Sequence, residues 1–212
     1  MSQAKKVSSI KSRFLERYKN AKSELHYSNL YELLVAVMLS AQCTDKRVNM
    51  VTPLLFAKYP NTKALSEANP EELSSIIDSV SFFNAKTRHL ISMATSVQRD
   101  FGGEIPTTQK ELISLKGVGQ KSANVVLGEF LGLNYMAVDT HVFRVSHRLG
   151  LSSSATAKET EKDLSEIFID NLNLLHQAFV LFGRYDCKAL KPNCDGCFVE
   201  EFCISRKNFK PR

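Results

Sequence analysis

The sequence lacks any run of apolar residues long enough to cross a lipid bilayer, so we expect no membrane insertion. Its first ten residues carry positive charge but lack the apolar stretch of a signal peptide, and we expect them to begin the mature protein. Low-complexity segments, a full-length repeat and a Pro/Gly/Ser-rich linker are also missing. With 43% hydrophobic and 24% charged residues, the 212-residue chain has the composition of a soluble globular protein of one large or two small domains.

The alternation of apolar and polar residues that marks β-strands is absent as well. Apolar residues instead recur at three- and four-residue spacing in the segments 30–39, 73–80, 90–97 and 179–182. Helix starts are indicated by capping residues followed by glutamate, at Asn69, Thr108 and Thr156, and helix ends by Gly102, Gly103, Gly132 and Gly150. The sequence therefore predicts an all-α fold of about ten helices.

The chain has fewer acidic residues than basic ones, with 22 Asp and Glu against 28 Lys and Arg. The formal net charge is +6 and the isoelectric point is near 9.0. A basic protein favours a polyanionic partner such as nucleic acid, because neutralised phosphates release their counterions. Taken alone this balance selects no particular ligand.

Four of the five cysteines lie near the carboxy terminus: Cys187, Cys194, Cys197 and Cys203. Thiols grouped this closely in a chain without a secretory signal are typical of metal ligands rather than disulfides. Zinc modules usually pair two short Cys-x2-4-Cys knuckles, and only Cys194 and Cys197 form one. The spacing therefore favours a [4Fe-4S] cluster over zinc, and zinc over disulfides.

Residues 112–128 read as a helix, a tight Gly-Val-Gly turn and a second helix, which is the pattern of a helix-hairpin-helix. Glycine permits positive φ and close approach, so the amides around Gly117, Val118 and Gly119 can form a phosphate-binding nest. Such a nest positions a nucleic-acid backbone without reading its sequence. In the alternative, Gly117 only ends one helix and Gly119 only eases the turn.

Lys121 and Asp139 are the two candidates for chemistry. Lys121 follows the turn at the positive end of a helix dipole, where a cation is disfavoured and the nucleophilic neutral amine is favoured. The alternative for Lys121 is a solvated cation beside a phosphate. Asp139 is expected to begin a helix, where it caps the backbone or, alternatively, stabilises positive charge on a sugar and assists proton transfer.

Several motifs together resemble the endonuclease III family, helix-hairpin-helix DNA glycosylases that also have apurinic/apyrimidinic (AP) lyase activity. The motifs follow the family's order and span nearly the whole chain: residues 39–45 (LSAQCTD), 83–86 (FNAK), 115–123 (LKGVGQKSA), 138–145 (VDTHVFRV) and the four-cysteine loop.

The resemblance implies a two-domain all-α architecture. Residues 22–132 are expected to form a six-helix barrel that contains the helix-hairpin-helix at about 108–127. Residues 1–21 and 133–212 are expected to form the cluster domain with its loop at 187–203, and the DNA groove is expected between the two domains.

The resemblance also assigns roles to particular residues. Lys121 matches the nucleophile, Asp139 the catalytic aspartate and the four clustered cysteines the ligands of the [4Fe-4S] cluster. Gln42 matches a glutamine that fills the gap left by an extruded nucleotide. Lys188 and Lys191, in the cysteine loop, are expected to meet the phosphate backbone.

The implied function is base-excision repair of oxidised pyrimidines in duplex DNA by a monomeric, cytoplasmic, nucleoid-associated bacterial enzyme. The alternatives are a glycosylase without lyase chemistry and a DNA-binding iron-sulfur module without enzymatic activity. Lys121 argues against the first, and the second needs neither Lys121 nor Asp139. Gln120, Ser81 and Phe182 depart from the family's usual residues, which leaves lesion preference and DNA-distorting contacts open.

Overall fold

The computed structural model describes residues 2–209, and the regular secondary structure among them is helical, which confirms the predicted all-α class. Within these residues there is no β-strand, and no helix has both the length and the apolar character needed to span a bilayer. The α-helices are α1 (Gln3–Arg17), α2 (Leu30–Ser40), α3 (Asp45–Lys58), α4 (Thr62–Ser66), α5 (Pro70–Ile76), α6 (Phe83–Asp100), α7 (Gln109–Ser114), α8 (Gln120–Leu131), α9 (Thr140–Arg148), α10 (Ala157–Phe168) and α11 (Leu172–Tyr185). Two 3₁₀ helices follow, at Glu200–Phe202 and Arg206–Asn208.

The three predicted helix caps are confirmed. The Asn69 side chain accepts hydrogen bonds from the Glu71 and Glu72 amides at the start of α5, and Thr108 accepts one from Glu111 at the start of α7. Thr156 forms a reciprocal capping box with Glu159 at the start of α10. These side chains satisfy amides that have no partner within the helix, so the local sequence fixes where each helix begins.

The apolar segment 73–80 is helical only in its first half. Helix α5 ends at Ile76, although Ile77 and Val80 remain buried at 0% and 1% exposure. The Val80 amide donates to the Ile77 carbonyl and closes a turn there. The apolar spacing therefore continues beyond the helix because the turn itself packs into the core.

The chain divides into two compact units, Ser23–Leu131 and Met1–Lys22 with Gly132–Arg212. The first unit contains α2 to α8 and is built around α2, whose residues from Leu33 to Leu39 are all buried. A helix that is apolar on every side must be surrounded, and α2 packs against α3, α6 and α8.

The second unit joins the two ends of the chain. Phe14 of α1 is fully buried and packs against Phe179 and Phe182 of α11, with ring centroids 4.4 and 5.2 Å away. Phe198, in the cysteine loop, contacts the same Phe14 ring at 5.0 Å. This aromatic cluster explains why an amino-terminal helix belongs to the unit that carries the cysteines. It also shows that Phe182, one of the departures from the family pattern, is a core residue at 3% exposure.

Candidate active site

The helix-hairpin-helix is formed by α7, a turn at Leu115–Gly119 and α8. Gly117 has φ +83°, and a Cβ atom there would lie 2.8 Å from the Cβ atom of His89. Glycine is therefore required at 117 both for its backbone conformation and for space. Gly119 has no such requirement: it lacks a positive φ, and a Cβ there would meet nothing within 4 Å.

The amides of this turn differ in their availability to a ligand. The Val118 amide donates to the Leu115 carbonyl at 3.1 Å, and its side chain is buried at 5% exposure. Within residues 2–209 the structure records no hydrogen bond from the Gly117 or Gly119 amides. Because Gly119 faces open space at the amino end of α8, an anion can approach it closely.

Lys121 lies in the first turn of α8 and its side chain is exposed. Its position in the helix is what distinguishes it. The neighbouring Lys116, before the turn, is also exposed. The two lysines differ in that only Lys121 stands at the positive end of a helix dipole.

Asp139 begins α9, as predicted, and its two carboxylate oxygens are used differently. Oδ1 accepts hydrogen bonds from the His141 and Val142 amides, both at 2.8 Å. Within residues 2–209 no hydrogen bond to Oδ2 is recorded. The capping role and a chemical role are thus compatible, because one oxygen fixes the carboxylate and the other can face a ligand.

Two arginines of α9 donate hydrogen bonds to the cysteine loop. Arg148 donates from Nη1 to the carbonyl of Lys188 at 2.7 Å and to Cys187 Sγ at 3.2 Å, and from Nη2 to the carbonyl of Ala189 at 3.0 Å. Arg144 donates from Nε to the carbonyl of Cys187 at 3.0 Å. Neither arginine was singled out by the sequence reasoning, since a helical Arg usually points to solvent.

The four clustered cysteines line one cavity, with Arg148 and Arg206 beside them. All are free thiols, so the disulfide alternative is wrong in this structure. Burial raises the pKa values of the Cys194, Cys197 and Cys203 thiols. A bound metal would have to supply the positive charge that makes them thiolates.

These four thiols could serve as ligands of a metal or a cluster. They line one cavity, and cysteine thiolates bind both zinc and iron-sulfur clusters. Within residues 2–209 the structure shows no group of three His, Cys, Asp or Glu side chains that could hold a single metal ion.

Gln42 lies just beyond α2, on a strained backbone. Its φ is +54°, its side chain is exposed, and the Cys43 amide donates to the Ser40 carbonyl to close the turn at 3.0 Å. A left-handed conformation is uncommon for a residue other than glycine and persists only where the surroundings enforce it.

Like Gln42, Phe82 has a left-handed backbone and an exposed side chain, but the sequence did not predict it as a site residue. It precedes α6 with φ +59°, makes no side-chain cap and is 64% exposed. The only signal in the sequence was Ser81-Phe82-Phe83 directly before a helix, where a capping residue is usual.

Lys188 and Lys191 are both exposed in the cysteine loop, and Lys191 has φ +51°. The loop carbonyls before Lys191 are held by Arg148, so the two lysines project from a fixed segment of backbone.

Residues 35–169 match the family described as HhH-GPD superfamily base excision DNA repair protein. The chain is 43% identical to an Endonuclease III of Rickettsia felis (strain ATCC VR-1525 / URRWXCal2) over 202 residues, which is 95% of each chain. It is 43% identical over 210 residues to the Endonuclease III of Rickettsia conorii (strain ATCC VR-613 / Malish 7), covering 98% of this chain and 100% of the relative.

A solved structure of a trapped endonuclease III–DNA covalent intermediate, in a complex with an estranged adenine, matches with a TM-score of 0.93 and 37% identity. It covers 98% of this chain and 99% of that one. The resemblance inferred from the motifs is confirmed, and the chain belongs to the endonuclease III family, within the HhH-GPD superfamily of base excision DNA repair proteins.

Proposed function

We propose that this chain, a DNA glycosylase and AP lyase by its family, removes oxidised pyrimidines from duplex DNA and cleaves the strand at the resulting site. The observation that carries the proposal is Lys121, an exposed lysine in the first turn of the helix that follows the Gly117–Gly119 hairpin turn. A primary amine so placed can meet a sugar while the turn holds the adjacent phosphate.

The proposed chemistry begins with attack of the neutral Lys121 amine on C1′ of the damaged nucleotide. The C–N bond to the base breaks, and the base leaves with the bonding electrons and takes up a proton. Opening of the sugar ring leaves a Schiff base between Nζ and C1′. Removal of a proton from C2′ then expels the 3′ phosphate by β-elimination, and water later releases the amine.

Asp139 is proposed to stabilise the positive charge that develops on the sugar and to help remove the proton from the attacking amine. Its Oδ1 atom is held by two amides at the start of α9, so the carboxylate has a fixed orientation before any ligand binds. Such preorganisation is what makes an electrostatic contact effective in a transition state.

The hairpin is proposed to hold the DNA backbone through the amides of Gly117 and Gly119, with Val118 packed beneath them. Lys188 and Lys191 are proposed to add phosphate contacts from the cysteine loop. None of these contacts reads a base edge, so they fix the position of the DNA without selecting its sequence.

Two exposed side chains are proposed to act on the base stack. Gln42 can hydrogen-bond the partner base left behind when a nucleotide is extruded, and Phe82 can enter the stack as an apolar wedge. Both lie on left-handed backbone, which supports a functional role for the strain. A poorly stacked lesion costs less to extract, which favours damaged pyrimidines over normal ones.

A [4Fe-4S] cluster is proposed as the resident group, held by Cys187, Cys194, Cys197 and Cys203. When bound, it would supply a structural centre that fixes the loop rather than a redox step in base excision. We propose that residues 22–132 form the six-helix barrel domain and that residues 1–21 with 133–212 form the cluster domain. The division of the chain into the compact units Ser23–Leu131 and Met1–Lys22 with Gly132–Arg212 supports these bounds. We propose that the protein acts as a monomer on duplex DNA in the bacterial cytoplasm. The bacterial sources of its relatives support a bacterial enzyme and do not bear on the monomeric state.

The nucleophile is tested by borohydride trapping on a duplex that contains thymine glycol. The wild-type protein is expected to form a covalent adduct, and Lys121→Gln is expected to form none, because it lacks the amine that makes the Schiff base. Lys116→Gln is the matched control: it removes an exposed lysine from the same hairpin and is expected to keep the adduct. An adduct that persists in Lys121→Gln would disprove the assignment, and absence of both adduct and base release in the wild type would favour a binding module.

Asp139 is tested by a pair of substitutions that separate capping from charge. Asparagine is a good helix cap, so Asp139→Asn is expected to keep the melting temperature while base excision falls about a hundredfold. Asp139→Ala is expected to lose activity and also about 1 kcal/mol of stability. Activity within about twofold of wild type in Asp139→Asn would limit the residue to its capping role.

The metal is tested on protein purified without oxygen. The expected result is about four iron and four sulfide per chain, with the broad visible absorption of an iron-sulfur cluster, and loss of both in Cys203→Ser. Cys43→Ser is the control, since Cys43 lies outside the cysteine cavity. One zinc ion per chain and no sulfide would overturn the cluster assignment.

A further inference from the structure

Lys86 is a buried lysine whose charge is met by backbone rather than by a carboxylate. It lies on α6 at 7% exposure, and its Nζ atom donates to the carbonyls of Leu39 and Ala41, both at 2.7 Å. Burial lowers its pKa. An ammonium group taken out of water is unfavourable unless strong acceptors surround it, and these two carbonyls lie at the negative end of the α2 dipole.

The contacts of Lys86 complete the carboxy end of α2, which has no basic residue in its last turn. The Ser40 carbonyl accepts from the Cys43 amide, and the Val37 carbonyl accepts from the Ser40 hydroxyl. The Lys86 ammonium group donates hydrogen bonds to the Leu39 and Ala41 carbonyls. Most of the last carbonyls of the helix therefore have a specific hydrogen-bond donor.

The Ala41 carbonyl belongs to the peptide group that leads directly into Gln42. Holding that carbonyl fixes the plane of the peptide bond from which the φ angle of Gln42 is set. Gln42 has φ +54°, a conformation that is unfavourable for a residue other than glycine and needs an external restraint. A buried donor on a neighbouring helix is such a restraint.

Lys86 also lies one helical turn beyond Phe82. Its amide donates to the Phe82 carbonyl at 3.0 Å, in the first turn of α6. One residue therefore joins the turn that carries Gln42 to the helix start that carries Phe82, and these are the two exposed non-glycine residues on left-handed backbone in this unit.

We propose that Lys86 is a positioning residue that holds the Gln42 turn in its strained form, so that Gln42 is ready to fill the gap opposite an extruded nucleotide. This rests on the proposed function of the chain and adds to it a residue that touches no DNA. Lys86 acts through Gln42 and is not itself catalytic.

The proposal is tested with a double-mutant cycle of Lys86→Met and Gln42→Ala, measured as kcat/KM for excision of thymine glycol opposite adenine. Each single substitution is expected to lower kcat/KM by about tenfold, and the double variant by about tenfold rather than a hundredfold, because both remove the same contact. Arg88→Met is the control: it removes an exposed charge from the same helix, and its effect is expected to multiply with that of Gln42→Ala.

If the losses in kcat/KM from Lys86→Met and Gln42→Ala multiply in the double variant, the positioning role of Lys86 is overturned. The excision activity would still be established in that case. A wild-type protein without excision activity would overturn the proposed function and the role of Lys86 with it. If Lys86→Met unfolds below the assay temperature, Lys86→Gln takes its place, because glutamine can still donate to one carbonyl. Loss of folding in both variants would make Lys86 a core residue and would also overturn the proposal.

Discussion

The hydrogen bonds from Arg144 and Arg148 to the backbone of the cysteine loop are the constraint on which the second unit depends. They fix the carbonyls of Cys187, Lys188 and Ala189 to α9, whose other end is capped by Asp139. One short helix therefore connects the proposed metal centre to the proposed catalytic carboxylate. Because a helix of nine residues is stiff, a cluster that orders the loop would also order Asp139, without taking part in the chemistry.

In the first unit, the corresponding feature is strained backbone at two exposed residues, Gln42 and Phe82, next to a rigid core. Helix α2 is buried on every side, and the backbone becomes left-handed at Gln42, directly after it ends. Phe82 is left-handed directly before α6 begins. Both side chains are proposed to act on a base stack. A backbone conformation that is fixed before DNA binds would lower the entropy cost of that binding. The buried Lys86 holds the backbone before Gln42 in place through its hydrogen bonds to the Leu39 and Ala41 carbonyls.

The sequence predicted structural features correctly where the interactions that produce them are local. Caps at Asn69, Thr108 and Thr156 are short-range hydrogen bonds, and each was confirmed where it was predicted. The thiol grouping was recognised from spacing, and the structure places the four side chains around one cavity. Arg148, Lys86 and Phe82 escaped prediction because their roles arise from contacts across 40 or more residues, or from a φ angle that no local pattern encodes.

We propose that one particular amine, that of Lys121, carries the reaction. It is tested most directly by trapping the wild-type protein on thymine glycol DNA with borohydride, digesting both polymers and locating the sugar remnant by tandem mass spectrometry. We expect a reduced sugar adduct on Lys121 alone, with Lys116 and Lys188 unmodified. An adduct on any other lysine, or on the amino terminus, would contradict it.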